Sequence, residues 1–238
     1  MFILSSLEDS VRVEPKDLSR PRLVAITSVI EQLMVDKVVA DLGLVVTLYD
    51  VLSVESGYVH PSDGGARFLV RFRVVVFRPF PGEVIVARAK RASKEGVHAS
   101  LGFFDDILIP EHYLPEPSFF NESESSWFWR YTDGEGSSND MDIEFDKEIR
   151  FRVQSIKFHT APTPDELRRL RERDPLIGTT DKPFSPMIVI GQINEEGLGP
   201  LSWWKDDESD SDESSDSGKE SGSDDDDEEE EAAEAKND

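Results

Sequence analysis

Apolar residues two positions apart dominate the first third of this chain, and a helical spacing replaces them once. In RFLVRFRVVVFRPF (67–80), Phe68, Val70, Phe72, Val74 and Val76 share one parity, while Arg67, Arg71 and Arg73 share the other. That alternation predicts a strand with one face in a core and an arginine face in water. LVVTLYDVLSV (44–54) is also rich in β-formers, and MFILSSLEDSVRV reads as a strand, a turn and a second short extended piece. Between them Leu23, Ile26, Ile30 and Leu33 recur at steps of three and four, behind Ser19 as N-cap and a proline in the first turn. SGYVHPSDGGA (56–66) is loop chemistry, and Pro79 and Pro81 interrupt the sheet pattern. Residues 1–80 are therefore expected to form a small α+β unit of β-α-β-β order.

Beyond Gly82 the period stays at two but the segments shorten. EVIVARAKRAS, GVHASLG, DILIP, KEIRFRVQSIKF and MIVIGQI are five candidate strands, which predicts a small all-β barrel of the OB type over 81–204. Within 150–158 the apolar parity switches, since Phe151 and Val153 are odd and Ile156 and Phe158 even. Only an extra residue re-phases a strand, so a β-bulge is expected near Gln154–Ser155. Two insertions interrupt the barrel. The first, 121–141, is acidic and flexible apart from one strand marked by the alternation of Trp127, Trp129 and Tyr131. Its aromatic face reads as barrel core or interdomain packing, with a binding platform as the other account. In the second, 160–185, Thr163-Pro164-Asp165-Glu166 is a capping box that opens a short polar helix. Trp203 and Trp204 are expected to be pinned to a surface, closing the second domain against the first or against a partner.

Charge changes the picture at the C-terminus. Lys205–Asp238 holds 18 of the 50 acidic residues and 3 of the 26 basic ones, which leaves residues 1–204 at a net −9 of the total −24. With almost no apolar residue, 205–238 is expected to be a disordered acidic tail. Ser209, Ser217, Ser221 and Ser223 each have an acidic residue three positions on, a pattern that favours phosphorylation by an acid-directed kinase. The chain has no cysteine, which removes disulfides, thiolate zinc sites and cysteine nucleophiles. It has neither a signal-peptide pattern nor a bilayer-length apolar run, and a soluble intracellular protein without membrane contact is expected.

Enzyme chemistry finds little support. There is no phosphate-binding glycine loop, no G-x-S-x-G and no H-E-x-x-H. The four histidines, His60, His98, His112 and His159, are scattered and read as satisfied or surface residues. Glu55 with Asp63, and Glu144 with Asp146, are carboxylate pairs of the kind a charged chain produces by chance. Asp105 and Asp106 read as turn caps, and neither a metal nor any cofactor is expected.

The ordered blocks GEVIVARAKRASKEGVHASLGFFDDILIP (82–110), VVFRPFPGEV (75–84), EIRFRV (148–153) and GLGPLSWW (197–204) resemble the S1-containing stalk subunits of archaeal and eukaryotic RNA polymerases, and specifically the RNA polymerase III member. HPSDGGA resembles the tip loop by which that family docks on the polymerase core. The resemblance covers about 1–204 and implies a non-catalytic, nuclear subunit of RNA polymerase III that transcribes small RNAs such as tRNA and 5S rRNA. It would dock through His60, Pro61, Ser62, Asp63, Gly64 and Gly65, form a heterodimer with a second stalk subunit, and contact initiation factors. Its barrel would lie near the emerging single-stranded RNA.

OB barrels commonly bind single strands on strands two and three and the adjoining loops. With Val97, Ala99 and Leu101 inward, His98 and Ser100 are expected to face out, and Arg88, Lys90, Arg91 and Lys94 supply positive charge. Of Phe103 and Phe104 one should be core, because consecutive strand residues face opposite ways. Phe104 is assigned to the inside and Phe103 to the exposed rim, a turn being able to reverse the two. The usual S1 aromatic and histidine patch is incomplete here, and the net −9 agrees with weak, sequence-independent RNA binding. A free-standing OB RNA-binding protein and a chaperone acting through the acidic tail are the alternative functions.

Overall fold

The computed structural model describes residues 1–204 except 60, 62, 133–137, 161 and 174–183. Everything from Lys205 on, including Ser209, Ser217, Ser221 and Ser223, lies outside the described residues, as do His60 and Ser62.

The N-terminal part is an antiparallel sheet with one helix on it. β1 (Phe2–Val13) is followed by α1 (Arg22–Met34), β2 (Val38–Val39), β3 (Gly43–Val54), β4 (Tyr58–Val59) and β5 (Ala66–Phe77). β5 is central, with β1 on one side and β3 on the other. Val70, Phe72, Val74 and Val76 are fully buried under α1, as the alternation predicts, and Arg67, Arg71 and Arg73 face away. On that open face Arg71 pairs with Glu8 and Arg73 with Asp50 across adjacent strands.

Three local expectations change. β1 is one unbroken strand because every residue from Phe2 to Val13 has a partner on β5, and this long ladder overrides the turn expected within 1–13. Ser19 does not cap α1: its hydroxyl donates to the Lys16 carbonyl at 3.3 Å, and the helix starts behind Pro21. The helix buries Ala25, Ile26 and Ile30, but Leu23 and Leu33 are 57% and 47% exposed. These two lie in the first and last turns, beyond the strip that the sheet covers.

The second part is an OB-like barrel of β6 (Val84–Ser93), β7 (Gly96–Ser100), β8 (Ile107–Pro110), β12 (Glu148–Phe158), β13 (Met187–Gln192) and β14 (Gly199–Pro200). Between β8 and β12 stands a separate three-stranded sheet, β9 (Ser118–Asn121), β10 (Ser126–Thr132) and β11 (Ser138–Asp142), with β10 in the middle. The order β13-β8-β7-β6-β12 closes on itself because β12 also pairs with β13. The register of that last pair shifts between Val153 and Ser155, where the parity switch requires the bulge. The first insertion is thus more ordered than expected, a sheet rather than one strand. The second contains α2 (Pro164–Arg173), and its capping box forms: Glu166 accepts from both the N–H and the hydroxyl of Thr163 at 2.9 Å.

The barrel core and the end of the first sheet are continuous. Leu44 and Phe77 pack into the same cluster as Ile85, Val97, Phe104, Ile109, Phe151 and Val189. Phe77 is fully buried and stands 5.2 Å from the Phe104 ring. The N-terminal ammonium of Met1 pairs with Glu83 at 2.8 Å, and the Arg78 N–H donates to the Met1 carbonyl, so both strands of the joint are tied. Trp203 and Trp204 do not close the barrel against the first domain. Their indole N–H groups donate to the carbonyls of Asp142 (3.2 Å) and Leu198 (3.0 Å), which pins them inside the second domain.

Candidate docking loop and nucleic-acid interface

The loop between β4 and β5 is built around Asp63. One of its carboxylate oxygens accepts the Gly65 N–H at 3.0 Å, closing a tight turn. The other accepts from Arg12 on β1, at 3.1 Å from Nε and 2.8 Å from Nη2. Gly64 between them has φ +66°, a left-handed conformation that costs other residues about 1–2 kcal/mol. Asp63, Gly64 and Gly65 therefore form a tight turn just before the long β5 strand, with exposed Tyr58 and Val59 nearby in the chain.

The β6–β7 face follows from strand alternation with one interruption. Ile85, Ala87 and Ala89 point into the barrel, and Val84, Val86, Arg88 and Lys90 point out. The register against β7 shifts between Ala89 and Arg91, so that Lys90 and Arg91 are both exposed in succession and Arg91 lies opposite His98. This bulge concentrates positive charge at the start of the β6–β7 turn, where Lys94 is also exposed. Gly96 at its far end has φ +143°, and a Cβ there would lie 2.1 Å from the Ile109 carbonyl oxygen.

The predicted residues do not contribute alike. Lys94 pairs with Glu122 and Lys90 with Asp146, at 3.7 Å in the second case. The Lys94 contact and its hydrogen bond hold the Glu122 carboxyl below its ordinary range. Arg88 carries no ion pair among the described residues, and it borders a cleft of about 380 Å³ with Lys90, Leu101 and Glu148. His98 is half-buried, its Nε2 3.4 Å from the Ser93 hydroxyl.

Ser100 corrects an expectation. Although its register places it opposite Arg88 on the outer side, it is buried under the following loop. Its hydroxyl donates to Asp105 and accepts the Gly102 N–H at 2.9 Å, so it builds the turn and presents nothing outward. Asp106 likewise accepts from the Ser185 hydroxyl, and burial pushes its carboxyl above the ordinary range.

Phe104 is buried and Phe103 is 48% exposed, so the facing assignment holds. Phe103 is nevertheless not a free ring at the rim. It packs against Phe77 at 5.1 Å and Phe2 at 5.9 Å, on the joint between the two domains. The loop at Gly102 (φ +87°) turns the chain back toward β1, a tertiary neighbour that strand parity does not reveal.

Two residues outside the expected patch belong to the same outer face. Arg150 and Arg152 alternate with buried Ile149, Phe151 and Val153 on β12, directly across from Val86 and Val84 on β6. The parity of EIRFRV could have identified them. Arg152 pairs with Glu195 at 2.9 Å and Arg150 donates to the Gly197 carbonyl at 3.3 Å, so they lock the 193–198 loop.

A family model described as RNA polymerase III subunit Rpc25 matches residues 83–204. Residues 8–64 match an SHS2 domain found in the N terminus of Rpb7p/Rpc25p/MJ0397. The chain is 39% identical over 206 residues to the Bos taurus DNA-directed RNA polymerase III subunit RPC8, covering 86% of this chain and 98% of that one. The chain belongs to the RNA polymerase III subunit family Rpc25/RPC8. The Saccharomyces cerevisiae RPC8 is 33% identical and is covered completely. The RNA polymerase II subunit RPB7 of the same yeast is 34% identical over 73 residues, 31% of this chain and 42% of that one. The Rpc25/RPC8 subunits are non-catalytic members of their polymerase, and the α+β sheet described above is the SHS2 domain ahead of the OB-like barrel.

Proposed function

We propose that the protein is a stalk subunit of RNA polymerase III, acting by binding in the nucleus during transcription of small RNAs such as tRNA and 5S rRNA. The observation that carries this reading is the likeness over nearly the whole length of relatives named as RNA polymerase III subunits, against a partial likeness to RNA polymerase II subunits. In this reading residues 1–80 form the docking domain, 81–204 the S1-type domain, and 205–238 an acidic tail carrying the phosphorylation candidates. The Pro61–Gly65 loop seats on the polymerase core, because it is the compact, stiffened end of the longest strands and leaves apolar Val59 and Tyr58 exposed. A second stalk subunit pairs with this one to form a heterodimer, and initiation factors contact the assembled stalk.

The barrel offers single-stranded RNA a weak, sequence-independent surface. Arg88, Lys90, Arg91 and Lys94 supply the charge, and His98 and the half-exposed Phe103 flank them. Weakness follows from the neutralised lysines and the net −9 of residues 1–204. The decisive experiment is native affinity purification of the tagged full chain with mass spectrometry. Co-purification of the largest RNA polymerase III subunits in stable ratio is expected. Recovery of ribosomal or RNA-processing proteins alone would instead make this a free OB protein.

A further inference from the structure

Four aromatic rings border a second cleft of about 470 Å³: Trp129 and Tyr131 on β10, and Trp203 and Trp204 after β14. The first three form a continuous wall, with Trp129 5.2 Å from Tyr131 and 5.4 Å from Trp203. Tyr131 and Trp204 are each 42% exposed, so ring faces meet solvent. Glu195 and Glu196 stand on the rim. From this arrangement we infer a docking site for a basic polypeptide segment, with an arginine side chain seated against the tryptophan wall.

The chemistry of the lining selects the occupant. The indole N–H groups of Trp203 and Trp204 are already donated to backbone carbonyls, so these two rings present π faces to the cleft. Ring faces attract cations, and the planar guanidinium stacks on them better than an ammonium does. Glu195 is committed to Arg152 and Gln192. Glu196 makes no ion pair or side-chain hydrogen bond among the described residues and lies exposed at the rim. A carboxylate unpaired among the described residues, beside an electron-rich wall, complements a positive side chain and repels a phosphate. The volume suits a side chain with its immediate neighbours. The inference does not depend on the polymerase reading.

The test uses the full chain labelled for indole N–H NMR, since four tryptophans give four resolvable signals and core-buried Trp127 serves as an internal reference. The probe is a capped hexapeptide with two arginines among alanine and leucine, beside the same peptide with glutamates in their place. The arginine peptide is expected to shift Trp129, Trp203 and Trp204 but not Trp127. Glu196→Lys should weaken this binding about tenfold, and Tyr131→Ala about fivefold, with the Trp127 signal unmoved in both. Binding of the arginine peptide without movement of the three indoles, or equal shifts with the glutamate peptide, would overturn the site. Shifts produced by an oligouridylate and not by the arginine peptide would also overturn it and assign the cleft to RNA.

Discussion

Phe77, the last residue of β5, meets Phe103 edge-on, with ring centroids 5.1 Å apart and planes at 89°. One residue belongs to the sheet of the first domain and the other to the loop after β7 in the second, and Phe104 next door touches the same ring from inside the barrel. The two domains therefore share a core, to which the first contributes Phe77 and Leu44.

That sharing has a measurable consequence. Phe77→Ala should cost about 3–5 kcal/mol, because a fully buried ring leaves a cavity bordered by both domains. Phe103→Ala, at a half-exposed ring, should cost about 1 kcal/mol. Denaturant unfolding of the full chain followed by tryptophan fluorescence would check both; a Phe77→Ala midpoint equal to the parent's would remove the shared core.

The docking loop separates stability from assembly. Asp63→Ala breaks an exposed pair with Arg12, worth about 0–1 kcal/mol, and the turn to Gly65. Gly64→Val adds left-handed strain of about 1–2 kcal/mol. Together they should leave the circular dichroism spectrum intact and the melting temperature only slightly lower, while recovery of polymerase subunits in the affinity purification falls severalfold. Undiminished recovery would remove the loop from the docking surface.

For RNA, free and paired cations should behave differently. Arg88→Ala should weaken binding of an oligouridylate and lower the salt-dependence slope by roughly one phosphate contact. Lys94→Ala should do much less, because Glu122 already neutralises that ammonium. Anisotropy titrations at several salt concentrations would measure both slopes, and equal losses would show that the Glu122 pair opens on binding.

Asp106 predicts a pH dependence of definite sign. Burial raises its folded-state pKa above the unfolded value, and the Ser185 hydrogen bond offsets only part of this. The folded state thus holds the proton more tightly. Its contribution to stability is fully present below the unfolded carboxylate pKa and is lost as pH rises through the folded one. Asp106→Asn, which keeps an acceptor for Ser185, should flatten the stability profile across the mildly acidic range and raise neutral-pH stability slightly. Thermal melts of both proteins from acid to neutral pH would reveal it, and parallel profiles would contradict it.

Local pattern alone determined several elements: the period-two runs at 67–77 and 84–93, the parity switch that forces the bulge at Val153–Ser155, and the capping box at Thr163 are all consequences of chain geometry. Family membership was legible too, because ordered blocks along the chain carry it. Long-range neighbours were not. The stretch 1–13 reads as broken by a turn until β5 supplies twelve partners, Ser100 reads as outward until the loop of Gly102 and Asp105 folds over it, and Phe103 reads as free until Phe2 and Phe77 arrive from the other domain. The aromatic cleft has the same origin, since Trp129 and Trp203 are far apart in sequence and meet only through β10 and the turn after β14. Periodicity states which way a side chain points relative to its own backbone. What waits on that side is decided by the tertiary fold, because the covering atoms come from elsewhere in the chain.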